Sequence, residues 1–324
     1  MRTPSRYALV VALIAVFAFF SVATTTFLTP GNLLGILVNN FALLAIVSMG
    51  MTLAIAAGGI DLSVGTSIDI ASLVFVAAVA AHQNFAVALI GAVAGGLAVG
   101  AFNAVLIAAL RVTPFLATLG TLFIGQSVQQ LSTSGGQPIY LITGHVPAAF
   151  SFIGHGTVLG VPFTLIVVAA VVAAFAAIMG RSLFGRRVVA LGAQPGVAWY
   201  SGLRVSRDTA LVYLFSALAC AIAGILLSCT VRAYVPLSGN AYLLNAIGAT
   251  FIGTTFSPAG RPSVIGTLLG VLLLNIVANG LLLIGWNFYW QQVGTGVLIF
   301  LVLVISFGSR RLRSGAVPLN SAAS

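Results

Sequence analysis

The chain contains no lysine and no glutamate, and its acids are Asp61, Asp69 and Asp208 alone. Charged residues make up 5% of its 324 positions, against roughly 25% in globular domains. A soluble fold cannot cover its surface with so few charges. That excludes a soluble enzyme, a nucleic-acid-binding domain and a disordered chain. A P-loop needs a lysine after its second glycine to reach nucleotide phosphates, so the chain holds no standard ATP site. Proton relays use chains of Asp, Glu or His, and one acid well inside a span, Asp69, is a poor relay. The two cysteines, Cys220 and Cys229, lie in one apolar run. On a helix that spacing is half a turn out of phase and about 13 Å along the axis, so they cannot bridge. His82, His145 and His155 fall in or near segments between spans, with no Asp, Glu or Cys beside them. No catalytic residue, metal site or cofactor is expected in this chain.

What is present is long apolar sequence. Hydrophobic residues make up 60% of the chain, and a helical span needs about 20 mostly apolar residues. Such runs lie at 7–28, 33–57, 62–80, 85–110, 114–131, 161–180, 210–230, 243–257, 262–284 and 288–307. The fold class expected is an all-α polytopic membrane protein, one transmembrane domain of about ten helices. The first run is too long for the apolar part of a signal peptide and ends without a small-x-small cleavage site, so it reads as an uncleaved helix.

The arginines orient the bundle. With ten crossings and the N-terminus inside, Arg2, Arg6, Arg111, Arg181, Arg186, Arg187, Arg204, Arg207, Arg261, Arg310, Arg311 and Arg313 lie inside. Arg232 alone lies outside. This bias is the positive-inside rule and puts both termini in the cytoplasm, with 308–324 as a cytoplasmic tail. Two connections are long: 132–160, outside, with no Arg, Asp or Glu, and 181–209, inside, with five Arg. Connections of that length are often functional.

Three local patterns stand out. Residues 58–65 read Gly58-Gly59-Ile60-Asp61-Leu62-Ser63-Val64-Gly65, a turn whose Asp61 or Ser63 can cap the next helix. Residues 259–267 read Ala259-Gly260-Arg261-Pro262-Ser263-Val264-Ile265-Gly266-Thr267. Its likeness to Ser63-Val64-Gly65-Thr66 points to a parallel repeat. In 185–203, Pro195 can open a short helix on which Val197, Tyr200 and Leu203 share one side. Such a helix can lie on the membrane, enter a partner's groove or pack on its own bundle.

Polar residues in lipid are costly unless they face protein or water. Asn275 and Asn279 share a face of the ninth span, as Gln126 and Gln130 do on the fifth; Asn40 and Asn103 lie in the second and fourth. Neutral amides both donate and accept hydrogen bonds, which suits uncharged, hydroxyl-rich solutes and a polar translocation path. The alternative is interhelical glue, worth about 0.6 kcal/mol for each group.

The order of the three patterns resembles the membrane permease subunits of ribose- and galactose-type ATP-binding cassette (ABC) importers, from about residue 33 to residue 307. Met49-Gly50-Met51-Thr52 and Thr118-Leu119-Gly120-Thr121 add to the likeness. The chain departs from the family pattern at Gly196, at Leu243-Leu244-Asn245-Ala246 and at Gly253-Thr254. The resemblance implies a pore-forming subunit that translocates a monosaccharide or related polyol across a bacterial inner membrane. It implies a second permease subunit, identical or paralogous, a separate ABC ATPase and a periplasmic sugar-binding protein. In that scheme Gly58, Gly59, Asp61, Ser63 and Gly65 form a family motif turn. Gly192, Pro195, Val197, Tyr200, Gly202 and Leu203 belong to the loop that couples to the ATPase, and 132–160 faces the binding protein. The rival is a secondary transporter or facilitator for a neutral polar solute.

Overall fold

The computed structural model describes residues 4–141, 146–257, 260–287, 289–297, 299–300 and 304. Arg2, His145, Ala259, Arg310, Arg311, Arg313 and the expected tail lie outside the described residues. The structure is a helical bundle. Its helices are α1 (Pro4–Ala23), α2 (Pro30–Gly35), α3 (Ala42–Ala56), α4 (Val64–Ala80), α5 (Phe85–Ala104), α6 (Pro114–Ser132) and α7 (Ala148–His155). They continue as α8 (Phe163–Arg181), α9 (Leu183–Ala193), α10 (Pro195–Tyr200), α11 (Val205–Val231), α12 (Asn240–Thr254) and α13 (Val264–Leu283). Residues 289–297 are helical as well. A π-helical stretch, Ile36–Phe41, joins α2 to α3, and a second, Val105–Ala109, extends α5. Five stretches are long and apolar enough to cross a membrane: Pro30–Ala56, Phe85–Ala109, Phe163–Arg181, Val205–Val231 and Val264–Leu283. The chain is an all-α polytopic membrane protein.

Helix starts follow local chemistry. Pro30, Pro114 and Pro195 each open a helix, where a missing N–H costs nothing. Asn84 accepts from the Ala86 N–H at 2.8 Å and Ser263 from the Gly266 N–H at 3.2 Å, each satisfying a first-turn donor.

Helix α11 runs through the middle, parallel to α4 and antiparallel to α5. A Cβ on Gly100 would meet Ala217, and one on Gly96 would sit 2.7 Å from the Ala221 methyl. Gly224 lies against Ile68, and the Ser72 and Ser228 hydroxyls are 2.7 Å apart. Small residues let these backbones approach, which is how helices pack where water gives no hydrophobic drive.

A second set mirrors the first. Gly253 lies against Gly266 and Gly270 against Ala249, so α12 and α13 are antiparallel. Thr52 bonds Thr267 at 2.8 Å and Asn32 bonds Asn279, so α3 and α13 are antiparallel too. Helices α4, α5 and α11 thus pack on one another as α12, α13 and α3 do. Exchanging α3 with α11, α4 with α12 and α5 with α13 preserves the contacts and reverses every direction. The repeat is inverted, a correction to the parallel one suggested by the motif match. That match compares two helix starts, and any start at a capped glycine-containing turn uses similar residues.

The connection from α11 to α12 is not a simple surface loop. β4 (Ala233–Tyr234) pairs with β1 (Ile139–Tyr140), while β2 (Thr157–Val158) pairs with β3 (Val161–Pro162). From β4 the chain runs down beside α4, from Tyr234 packed on Leu73 and Val76 to Gly239 against Gly65. That descent covers eleven residues of α4, about 16 Å. Helix α12 therefore starts inside the bundle, and its 15 residues span about 22 Å, short of the ~30 Å of a bilayer core.

Candidate functional site

The 58–65 turn is held by a buried polar network. Gly58 adopts φ +87°, a conformation that glycine takes without strain and that turns the chain from α3 toward α4. Asp61, 2% exposed, accepts on Oδ1 from the Ser63 N–H at 3.0 Å and the Ser63 hydroxyl at 2.6 Å. Its Oδ2 accepts from the Ser216 hydroxyl of α11 at 2.8 Å. Asn103 of α5 donates to Ser63 Oγ at 2.6 Å and accepts from Thr121 of α6 at 2.6 Å. Thr118 donates to the Ile60 carbonyl at 3.2 Å. One turn thus fixes α5, α6 and α11 together. Burial pushes the Asp61 carboxyl above the usual carboxylate range, against the pull of these hydrogen bonds.

The 181–209 segment folds as α9 and α10. Ser182 caps α9 by accepting from the Gly185 N–H at 3.0 Å, and Val188 and Leu191 are buried. Gly192 is seated on the end of α3: any Cβ there would run into the Ala56 carbonyl, and a Cβ on Gly58 would be 3.2 Å from the Gly192 Cα. Two motifs far apart in sequence are therefore in backbone contact. Beyond Gln194 the chain turns outward. Val197, Trp199 and Tyr200 are 57%, 62% and 85% exposed. Gly202, at φ +78°, and half-buried Leu203 return the chain to α11. Arg187 of α9 faces buried Asp208, in the first turn of α11, at 3.7 Å. A cavity of about 890 Å³ opens beside α10, lined by Pro195, Gly196, Trp199, Arg111, Arg204 and Arg207.

The remaining acid holds the inserted segment. Asp69 Oδ1 accepts from Ser238 Oγ at 3.0 Å and from the Gly239 N–H at 2.7 Å, just before α12. An acceptor oxygen suits that helix start, whose first N–H groups have no partner within the helix. Gln129 of α6 accepts from the Tyr234 hydroxyl at 3.1 Å and the Leu237 N–H at 2.9 Å. Backbone groups of a non-helical stretch in the bundle thereby find partners, as hydrocarbon surroundings demand.

The expected path amides separate into four settings. Asn103 is wholly buried in the Asp61 network. Asn279 exchanges two hydrogen bonds with Asn32, at 3.0 and 3.1 Å, which is the glue alternative. Asn275 lines a cavity of about 570 Å³ between α12, α13 and helical residues 289–297. Asn40 and Gln130 are exposed on the bundle surface and Gln126 is half-buried. Sequence reasoning passed over Gln129 and Ser216, and singled out Thr121 only as part of the Thr118-Leu119-Gly120-Thr121 likeness. Gln129 stands between Gln126 and Gln130, but it is Gly125, four residues earlier and packed on Thr66, that marks the inward row. Among the described residues no cluster of His, Cys, Asp and Glu could hold a metal ion.

Comparison with known proteins follows this geometry. Residues 32–303 match the family described as branched-chain amino acid transport system, permease component. The chain is 33% identical to the ribose import permease protein RbsC of Escherichia coli K12 over 297 residues, 91% of each chain. It is 30% identical to the ribose import permease protein RbsC of Bacillus subtilis, over 88% of this chain and 87% of that one. It is 33% identical to the autoinducer 2 import system permease protein LsrD of Yersinia enterocolitica, over 84% of this chain and 83% of the other. No solved structure matches it. A transmembrane helical bundle that matches this family over most of its length, and import permeases nearly end to end, belongs to the branched-chain amino acid transport system permease-component family.

Proposed function

We propose that the chain is the pore-forming permease subunit of an ABC importer for a monosaccharide or related polyol, in a bacterial inner membrane. The observation that carries this is the 33% identity to a ribose import permease over 91% of both chains. Ten spans with both termini cytoplasmic fit the arginine distribution. The second permease subunit, identical or paralogous, completes the pore, and the 132–160 segment receives a periplasmic sugar-binding protein. The chain carries no cofactor and does no covalent chemistry; ATP is hydrolysed on a separate subunit.

The coupling segment supplies the mechanism. Exposed Val197, Trp199 and Tyr200, beside Arg111, Arg204 and Arg207, make an apolar knob with a basic surround. An ATPase groove with an apolar floor and acidic rim is its complement. The seat of Gly192 on Ala56 passes a push on α9 to the Asp61 turn. From there Ser216, Asn103 and Thr121 pass it to α11, α5 and α6. Helices that move as one packed unit can alternate a pore between two openings.

The test is a complex of the chain with its ATPase. Sugar-loaded binding protein is expected to raise ATP hydrolysis by that complex in vesicles. Hydrolysis indifferent to the loaded binding protein would count against an importer.

A further inference from the structure

The cavity of about 570 Å³ between α12, α13 and residues 289–297 has a wall unlike the rest of the bundle. It carries Asn240, Asn245, Asn275, Gln291, Gln292 and Thr295, and none of its lining residues is charged. Gln291 Oε1 is buried with no partner among the described residues. Asn275 spends its Nδ2 on the Val271 carbonyl at 2.8 Å, and Asn245 on the Ala241 carbonyl at 2.9 Å. Their side-chain oxygens therefore remain acceptors. A buried acceptor left unpaired costs free energy until a donor reaches it, and hydroxyl groups are such donors. An ionic solute would find no countercharge here and would lose its hydration. The volume falls within the roughly 300–1,000 Å³ of small-molecule sites.

The two ends of the cavity differ. The amides cluster toward the start of α12. Toward its other end Phe251 and Ile299 close in, and a Cβ on Gly248 would be 2.6 Å from Ile299 Cδ1. Asp69 fixes the start of α12 at Gly239, and the polar end beside it runs from a buried wall to an open mouth: Asn275 is 6% exposed, while Leu244 is 71% exposed and Gln292 is exposed.

We propose that this cavity is a chamber that binds a neutral polyhydroxylated solute within a single permease chain, with Asn275, Gln291, Gln292 and Thr295 as its hydrogen-bonding wall. The inference rests on the importer reading and adds where the solute pauses. Residues Gln291, Gln292 and Thr295 stand outside every motif noted in the sequence.

A thiol placed in the wall tests it. Both native cysteines are buried, so in the assembled transporter Gln292→Cys supplies the thiol for a cationic methanethiosulfonate reagent, with the unsubstituted protein as control. Labelling is expected, and D-ribose, D-galactose or myo-inositol is expected to slow it at least fivefold, while glycine or sodium chloride leaves it unchanged. Absent labelling, or labelling indifferent to all three solutes, overturns the inference. In uptake assays Gln291→Leu is expected to lower solute accumulation about tenfold and Gln291→Asn to recover most of it; equal uptake by the Leu variant also overturns it. Protection needs no ATP. An importer reading that fails, with hydrolysis indifferent to the loaded binding protein, is thus distinguishable from a chamber that fails.

Discussion

Gly192 in the 181–209 segment rests directly on the carbonyl of Ala56, at the end of α3 and beside the turn that holds Asp61. This contact joins the segment proposed to meet the ATPase to the turn that ties α5, α6 and α11 together. Gly192→Val is expected to lift α9 off α3. A steric insertion of this kind typically costs about 1–3 kcal/mol. The melting temperature in detergent should fall, and ATP-coupled uptake should fall further than the surviving folded fraction explains. Uptake tracking that fraction one for one would separate the contact from coupling.

Asp61 tests the network it anchors. Asp61→Ala leaves the Ser63 and Ser216 donors without their acceptor, a loss of about 1–3 kcal/mol for each buried group left unpaired. Asp61→Asn keeps one carbonyl acceptor and is expected to melt between the two. Equal melting of all three proteins would show that α11 does not depend on this carboxylate.

Asp69 separates a latch from a proton relay. Asp69→Asn retains an oxygen for Ser238 and Gly239 but cannot cycle a proton. It is expected to keep most uptake, whereas Asp69→Leu, which removes the acceptor, is expected to lose it. Loss of uptake in the Asn variant at full expression would favour a gradient-driven carrier.

The Arg187–Asp208 pair gives a sign test. Asp208 is 1% exposed and Arg187 is 42% exposed at the side chain. Removing the cation leaves a buried carboxylate alone, which is worse than removing both charges. Arg187→Gln is therefore expected to melt lower than Arg187→Gln with Asp208→Asn. The reverse order would mean that the pair contributes nothing to holding α9.

Much of this was legible in the residues, and the limits have physical reasons. Pro114 and Pro195 announce helix starts because a fixed φ and a missing N–H fit only there. The 58–65 turn was visible because Gly58 and Asp61 are unusual in an apolar stretch. The descent of residues 235–239 beside α4 was not, since what holds it is Asp69 and Gln129, remote in sequence. The amides show the same limit. Composition identifies Asn103, Asn275 and Asn279 as costly in lipid, but only packing decides which is buried in a network, which pairs with Asn32 and which lines a cavity. The inverted repeat was hidden because exchanged helices share contacts rather than residues.

The central claim is that the bundle forms a gated passage powered from outside itself. The most direct measurement is sugar accumulation by sealed vesicles containing the chain alone, or the chain with its ATPase and binding protein. The account predicts that D-ribose, D-galactose or myo-inositol is concentrated only in the complete system and only with ATP, and that Pro195→Ala with Tyr200→Asp abolishes this. Accumulation against a gradient by the chain alone would contradict it.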